Sequence, residues 1–263
     1  KDMQYNFDEI IERVGTESVK YDLREKVFGR SDVIPMWVAD MDFRTPDFIR
    51  DAVVKRAGGD VYGYTFREDE YYDAVARWIT RRHGWKVERE WISYTPGVVS
   101  AINMAVLSMT KEGDRVIIQP PVYPPFFHAV KGHNRTLVEN PLIETEDGFV
   151  MEYELLEEQA KTAKMLILSN PHNPVGRCWS REELERLGDI CMRNNVLVFS
   201  DEIHCDLVLP GFRHTPFASV RADFAERCIT AHAASKTFNI AGLATSSVII
   251  PNGEMRARFE GYV

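Results

Sequence analysis

Met165-Leu166-Ile167-Leu168-Ser169-Asn170-Pro171-His172-Asn173-Pro174-Val175-Gly176 joins an unbroken apolar run to a turn made of two Asn-Pro pairs and closed by glycine. An apolar run without alternation reads as a strand covered on both faces, as in parallel sheets. The prolines stiffen the turn, so it can aim a side-chain amide at one place beyond the strand. A rigid strand-to-helix connector has the same composition. Ser180 then stands three residues before Glu183, the pattern of a capping box, and Leu184, Leu187 and Cys191 mark one apolar face. A helix follows.

The same unit recurs along the chain. Residues 115–119, 196–200, 228–231 and 246–250 are further short apolar runs. Thr45-Pro46 reads as a helix cap followed by proline at the first helical position, and residues 69–83 carry a helical pattern. Strand–helix alternation argues an α/β fold with a mainly parallel sheet flanked by helices. The first forty or so residues are irregular, with Trp and Pro. They are expected to form an N-terminal arm with part of a small domain (1–45), ahead of a large α/β domain (46–263).

Composition excludes several classes. Apolar residues make up 44% and charged residues 27% of 263, near average for a globular domain, so disordered and fibrous readings fail. The net charge is −8, which disfavours a nucleic-acid partner but permits a local anion pocket. Cys178, Cys191, Cys205 and Cys228 form no C-x-x-C pair, so neither a zinc motif nor a disulfide framework is read and no metal is expected. Residues 1–7 show no signal-type apolar region, and no run approaches the ~20 residues of a membrane span. A soluble, cytoplasmic protein is expected.

Ligands of open α/β sheets bind beyond the carboxyl ends of the strands. Three features fall there: Asn173 in the Asn-Pro turn; Asp201 in Ser200-Asp201-Glu202-Ile203-His204; and Lys236 in Ala234-Ser235-Lys236-Thr237-Phe238-Asn239. A carboxylate at the edge of a buried strand is costly unless it meets a cation or a protonated base. A lysine among small and apolar residues is in surroundings that lower an amine pKa and favour imine formation. Each has a bland counterpart: a connector, a capping acid, a solvated cation.

Taken together, and with Met36-Trp37-Val38-Ala39-Asp40-Met41-Asp42-Phe43 and Ser235-Lys236-Thr237-Phe238-Asn239-Ile240-Ala241-Gly242-Leu243, they resemble the fold-type I pyridoxal 5'-phosphate (PLP) enzymes. These are the aspartate aminotransferase-like, class I/II aminotransferase family, and the match is nearest the cystathionine β-lyase (PatB/MalY-type) branch. The resemblance implies covalent attachment of PLP to Lys236, whose amine then removes the substrate Cα proton. It implies Asp201 at the pyridine nitrogen and Asn173 at the ring's phenolic oxygen. The amides of Val98 and Val99, in the turn Thr95-Pro96-Gly97-Val98-Val99-Ser100, and the hydroxyl of Ser235 are implied as phosphate donors. It further implies that Tyr123 stacks on the cofactor, that Tyr64 reaches the phosphate across a homodimer boundary, and that Ala39 lines the substrate-carboxylate end beside Tyr123 and Asn173.

There are departures. Ala244 stands where many relatives carry a phosphate-binding arginine, and His204 where many carry a tyrosine. His204 is read either as a hydrogen-bonding partner near the ring oxygen or as a satisfied buried histidine. The C-terminal segment with the carboxylate-gripping arginine is not seen, and Arg256 and Arg258 lie in the wrong place to replace it. The small domain is therefore expected to be incomplete. The reaction implied is α,β-elimination on an amino acid such as L-cystathionine, giving thiol, pyruvate and ammonia. An aminotransferase and a non-catalytic PLP-binding regulator are the alternatives.

Overall fold

A computed structural model describes residues 5–263; residues 1–4, part of the stretch read for a targeting signal, lie outside them. The apolar runs form β1 (Ile92–Thr95), β2 (Arg115–Ile118), β3 (Thr136–Glu139), β6 (Ala163–Ser169), β7 (Leu197–Asp201), β8 (Cys228–His232) and β9 (Ser246–Ile249). The polar strands β4 (Ile143–Thr145) and β5 (Gly148–Val150) pair as a separate hairpin. The large sheet runs β1-β9-β8-β7-β6-β2-β3. Its β3, β2, β6, β7 and β8 pairings are parallel, and β9 alone runs against its neighbours.

Helices follow in chain order. α1 (Val19–Asp22), α2 (Arg24–Phe28) and α3 (Asp47–Ala57) belong to one unit, made of the described residues up to Tyr64 together with Ala234–Leu243. α4 (Asp69–His83), α5 (Val98–Met109), α6 (Pro124–Lys131), α7 (Tyr153–Ala160), α8 (Arg181–Arg193), α9 (Phe217–Val220) and α10 (Ala222–Ala225) belong to a second unit, Thr65–Ala233 with Ala244–Val263. The short α11 (Ala234–Thr237) returns to the first unit, and α12 (Gly253–Glu260) to the second.

In the second unit, side-chain alternation builds two cores, one on each sheet face. Leu166, Leu168 and Val198 face Leu184, Leu187 and Trp179. Met165, Ile167 and Phe199 face Ala101, Ile102 and Phe126. That double cover is why the strands read as continuous apolar runs rather than alternating ones.

Ser180 caps α8 as expected: its hydroxyl accepts from the Glu183 amide, and Glu183 accepts from the Ser180 amide. The start of α3 differs from expectation. Pro46 is the cap residue, and no side chain caps the helix. The Thr45 hydroxyl instead donates to the Asn239 carbonyl at 3.2 Å, a long-range partner that local reading could not supply.

Candidate active site

In the second unit β6, β7 and β8 end level. Ser169 is in register with Asp201, and Asp201 with Ala231. Asp201 is the last residue of β7 and 5% exposed; the Ile203 amide donates to its Oδ1 at 3.2 Å. Burial pushes the Tyr123 phenol up, and the Asp201 charge adds to the shift. Tyr123, half-buried at the cap of α6, therefore sits within the electrostatic reach of that acid.

Hydrogen bonds lock the Asn-Pro turn to the strand ends. The Asn170 amide donates to the Asp201 carbonyl at 2.9 Å, and its side chain to the Thr215 carbonyl at 3.0 Å. The Asn173 amide donates to Ser169 Oγ at 3.1 Å. Trp179 Nε1 donates to the Ser169 carbonyl at 3.0 Å. His172 Nε2 donates to the Pro121 carbonyl at 3.0 Å, coupling this turn to the loop that carries Tyr123. Burial lowers its imidazole to about 4, so the ring is neutral near pH 7. Gly176, at φ 74°, closes the turn in a conformation that favours glycine.

At the start of α5 the chain leaves β1 through Gly97, at φ 139° with open space where a Cβ would stand. No side chain caps this helix, and its first backbone bond runs from the Ala101 amide to the Gly97 carbonyl. The amides of Val98, Val99 and Ser100 thus face out of a helix N-terminus, a setting that attracts an anion such as phosphate. Val98 is buried and Val99 exposed. His204 is half-buried, its carbonyl accepting from the Leu207 amide at 2.9 Å.

In the first unit Lys236 lies on α11, four residues beyond the end of β8 in the chain. Its Nζ donates to the Ala39 carbonyl at 3.4 Å, which joins two residues expected in the site from positions far apart in sequence. Ser235 is buried beside it, Ala39 is exposed, and Tyr64 is fully exposed. Sequence reading missed the residue that ties these segments together. Asn239, at φ 55°, accepts from the Met41 amide at 2.9 Å and donates to the Met41 and Phe43 carbonyls at 2.9 Å. The left-handed tolerance of Asn was the available signal. Arg13 and Lys20 brace the other side of the segment. Arg13 meets Asp40 at 2.5 Å and Asp42 at 3.0 Å, and Lys20 meets Asp42 at 2.8 Å. Burial raises the Asp42 carboxyl, but these two cations hold it below its ordinary value.

Within each unit, then, expected residues are linked: Asp201 with the Asn173 turn, its charge reaching Tyr123, in the second, and Lys236 with Ala39 in the first. In the second unit a buried acid, a neighbouring aromatic and an open helix N-terminus fit a phosphate-bearing heteroaromatic group. No helix among the described residues is long and apolar enough to cross a membrane.

The chain is similar to several known proteins over nearly its whole length. The chain is 50% identical over 256 residues to cystathionine beta-lyase PatB of Bacillus subtilis, covering 97% of this chain and 66% of that protein. Among solved structures, cystalysin from Treponema denticola, which contains a pyridoxal 5'-phosphate cofactor, superposes with TM-score 0.94 at 40% identity, over 99% of this chain and 67% of that one. A PLP-bound C-S lyase from Staphylococcus hominis superposes with TM-score 0.93 at 35% identity, over 99% and 67%. The chain spans about two thirds of the length of the curated relatives it matches. The family described as aminotransferase class I and II matches residues 31–258, and the chain belongs to that family.

Proposed function

We propose that this chain carries the cofactor-binding part of a PLP-dependent carbon–sulfur β-lyase acting on L-cystathionine or a related cysteine S-conjugate. The observation that carries the reading is the buried Asp201 at a strand end, level with the Asn173 turn and in reach of Tyr123. The 50% identity to a cystathionine β-lyase supports the lyase branch over an aminotransferase.

PLP, when bound, supplies a sink for the electron pair left when a substrate Cα loses its proton. In the proposed site Lys236 would hold the cofactor covalently, and its freed amine would be the base for the substrate Cα proton. Asp201 would keep a proton on the ring nitrogen, and the Asn173 amide, with His204 near it, would hydrogen-bond the ring oxygen. The Val98 and Val99 amides, the Ser235 hydroxyl and Tyr64 of a second copy would bind the phosphate. Tyr123 would orient the ring, and Ala39, too small to obstruct, would leave room for the substrate carboxylate. The overall reaction would release thiol from Cβ and, with uptake of one water, pyruvate and ammonia.

The same proposal divides the protein into an arm with part of a small domain over 1–45 and a large cofactor domain over 46–263. It makes the active enzyme a cytoplasmic homodimer in sulfur amino-acid metabolism, on the route to methionine. Two measurements test it. Borohydride reduction and peptide mapping should place a pyridoxyl label on Lys236. Protein incubated with cystathionine should yield pyruvate without any added keto acid; a strict requirement for a keto acid would assign an aminotransferase instead.

A further inference from the structure

At the ends of α4, β7 and β8 the second unit gathers four side chains that the proposed chemistry does not use. His83 is the last residue of α4, Cys205 and Asp206 lie in the turn after β7, and His232 is the last residue of β8. One donor atom from each lies within 4.8 Å of all the others. His83 Nε2 is 2.9 Å from Asp206 Oδ1, and His232 Nε2 is 3.9 Å from Asp206 Oδ2. His232 is 8% exposed, and its Nε2 is buried with no hydrogen-bond partner. A buried polar atom left in that state asks for a water or an ion opposite it.

We propose that His83, Cys205, Asp206 and His232 form a zinc site. Two imidazole nitrogens, a thiol sulfur and a carboxylate oxygen are the mixed donors zinc prefers; calcium and magnesium require a shell of oxygens. Donor atoms within 4.8 Å of one another can share a centre no more than about 2.9 Å from any of them. Each donor must close by less than about 1 Å to reach zinc bond lengths of about 2.0–2.3 Å.

Charge also balances. On binding, Cys205 releases its proton to solvent and its sulfur bonds the ion, while His83 carries its proton on Nδ1 and turns Nε2 inward. Thiolate and carboxylate then cancel the two positive charges, so the filled site adds no net charge to the interior. Trp78 Nε1 donates to Asp206 Oδ2 at 2.9 Å and orients the carboxylate from outside, as second partners of metal ligands do. Glu202 is already paired with His214 at 3.0 Å. One group opposes binding: Arg82 Nε is 3.6 Å from Asp206 Oδ1, on a half-exposed side chain that must swing into water. The ion would pin the backbone five residues after Asp201 and four before Lys236.

The test is direct and does not depend on the lyase reading. The purified protein is stripped with chelator, dialysed and titrated with Co2+, then challenged with Zn2+. One Co2+ per chain is expected, with the visible bands of a tetrahedral site and a near-ultraviolet thiolate-to-cobalt band, all displaced by Zn2+. Cys205→Ser should lose the thiolate band, His232→Gln should bind at least tenfold more weakly, and Arg82→Gln should bind more tightly. Near-UV circular dichroism establishes that each variant is folded. Wild-type protein that takes up no Co2+, or that binds it no better than folded His232→Gln, overturns the proposal.

Discussion

The chemistry proposed for the second unit rests on one carboxylate, Asp201. A group 5% exposed stays ionised only if a cation or proton donor stands opposite it, and in the proposed enzyme the ring nitrogen does. Asp201→Asn keeps the shape and removes the charge. Elimination of cystathionine should then slow about a hundredfold or more, measured in single turnover, while the cofactor's visible absorbance is retained; an unchanged rate would remove Asp201 from the mechanism. Asn239 acts by position. Its amide makes three hydrogen bonds to the Met41–Phe43 backbone, the segment next to the carbonyl that Lys236 touches. Asn239→Gly keeps the left-handed backbone and loses the clamp. Protection of the Met41 amide in hydrogen exchange should fall roughly tenfold.

At the scale of elements, α8 shows how local and distant constraints combine. Its capping box stands open to solvent, so Ser180→Ala should cost about 1 kcal/mol. Gly188, on the buried face, presents a different balance. A Cβ there would lie 2.2 Å from two ring carbons of Phe224, which is fully buried and stacked on Phe217 with centroids 5.1 Å apart. Alanine is the better helix former by about 1 kcal/mol, but overpacking costs about 1–3 kcal/mol, and a stacked ring has little room to yield. Gly188→Ala should therefore lower the urea midpoint with an unchanged slope; an increase would mean that helix propensity outweighs the clash. The cap of α8 was legible because Ser180 and Glu183 sit three apart. The use of Thr45 was not, since its partner Asn239 lies across 194 positions. The lesson at Gly188 is similar: nothing in the sequence near it names Phe224.

Across the whole molecule, the parallel sheet was readable from its apolar runs, and the strand ends from the Asn-Pro turn and Asp201. The buried histidines were not. His83 and His232 owe their meeting with Cys205 and Asp206 to topology, and the purpose of His172 depends on a carbonyl 51 positions away. That last residue gives the fold an acid-sensitive point. Burial holds the folded His172 ring at about 4, against about 6.5 in an unfolded chain. Between those values the unfolded state binds a proton that the folded state refuses, so stability present above pH 6.5 is lost as pH falls towards 4. From pH 7.5 to 5 this one group should remove about 2 kcal/mol. His172→Asn can still offer an amide to the Pro121 carbonyl but takes up no proton. Urea unfolding at the two pH values should show a smaller drop in the variant by about that amount. An equal drop in both proteins would mean that the acid lability lies elsewhere, and that the coupling of the Asn173 turn to the Tyr123 loop is indifferent to the charge on His172.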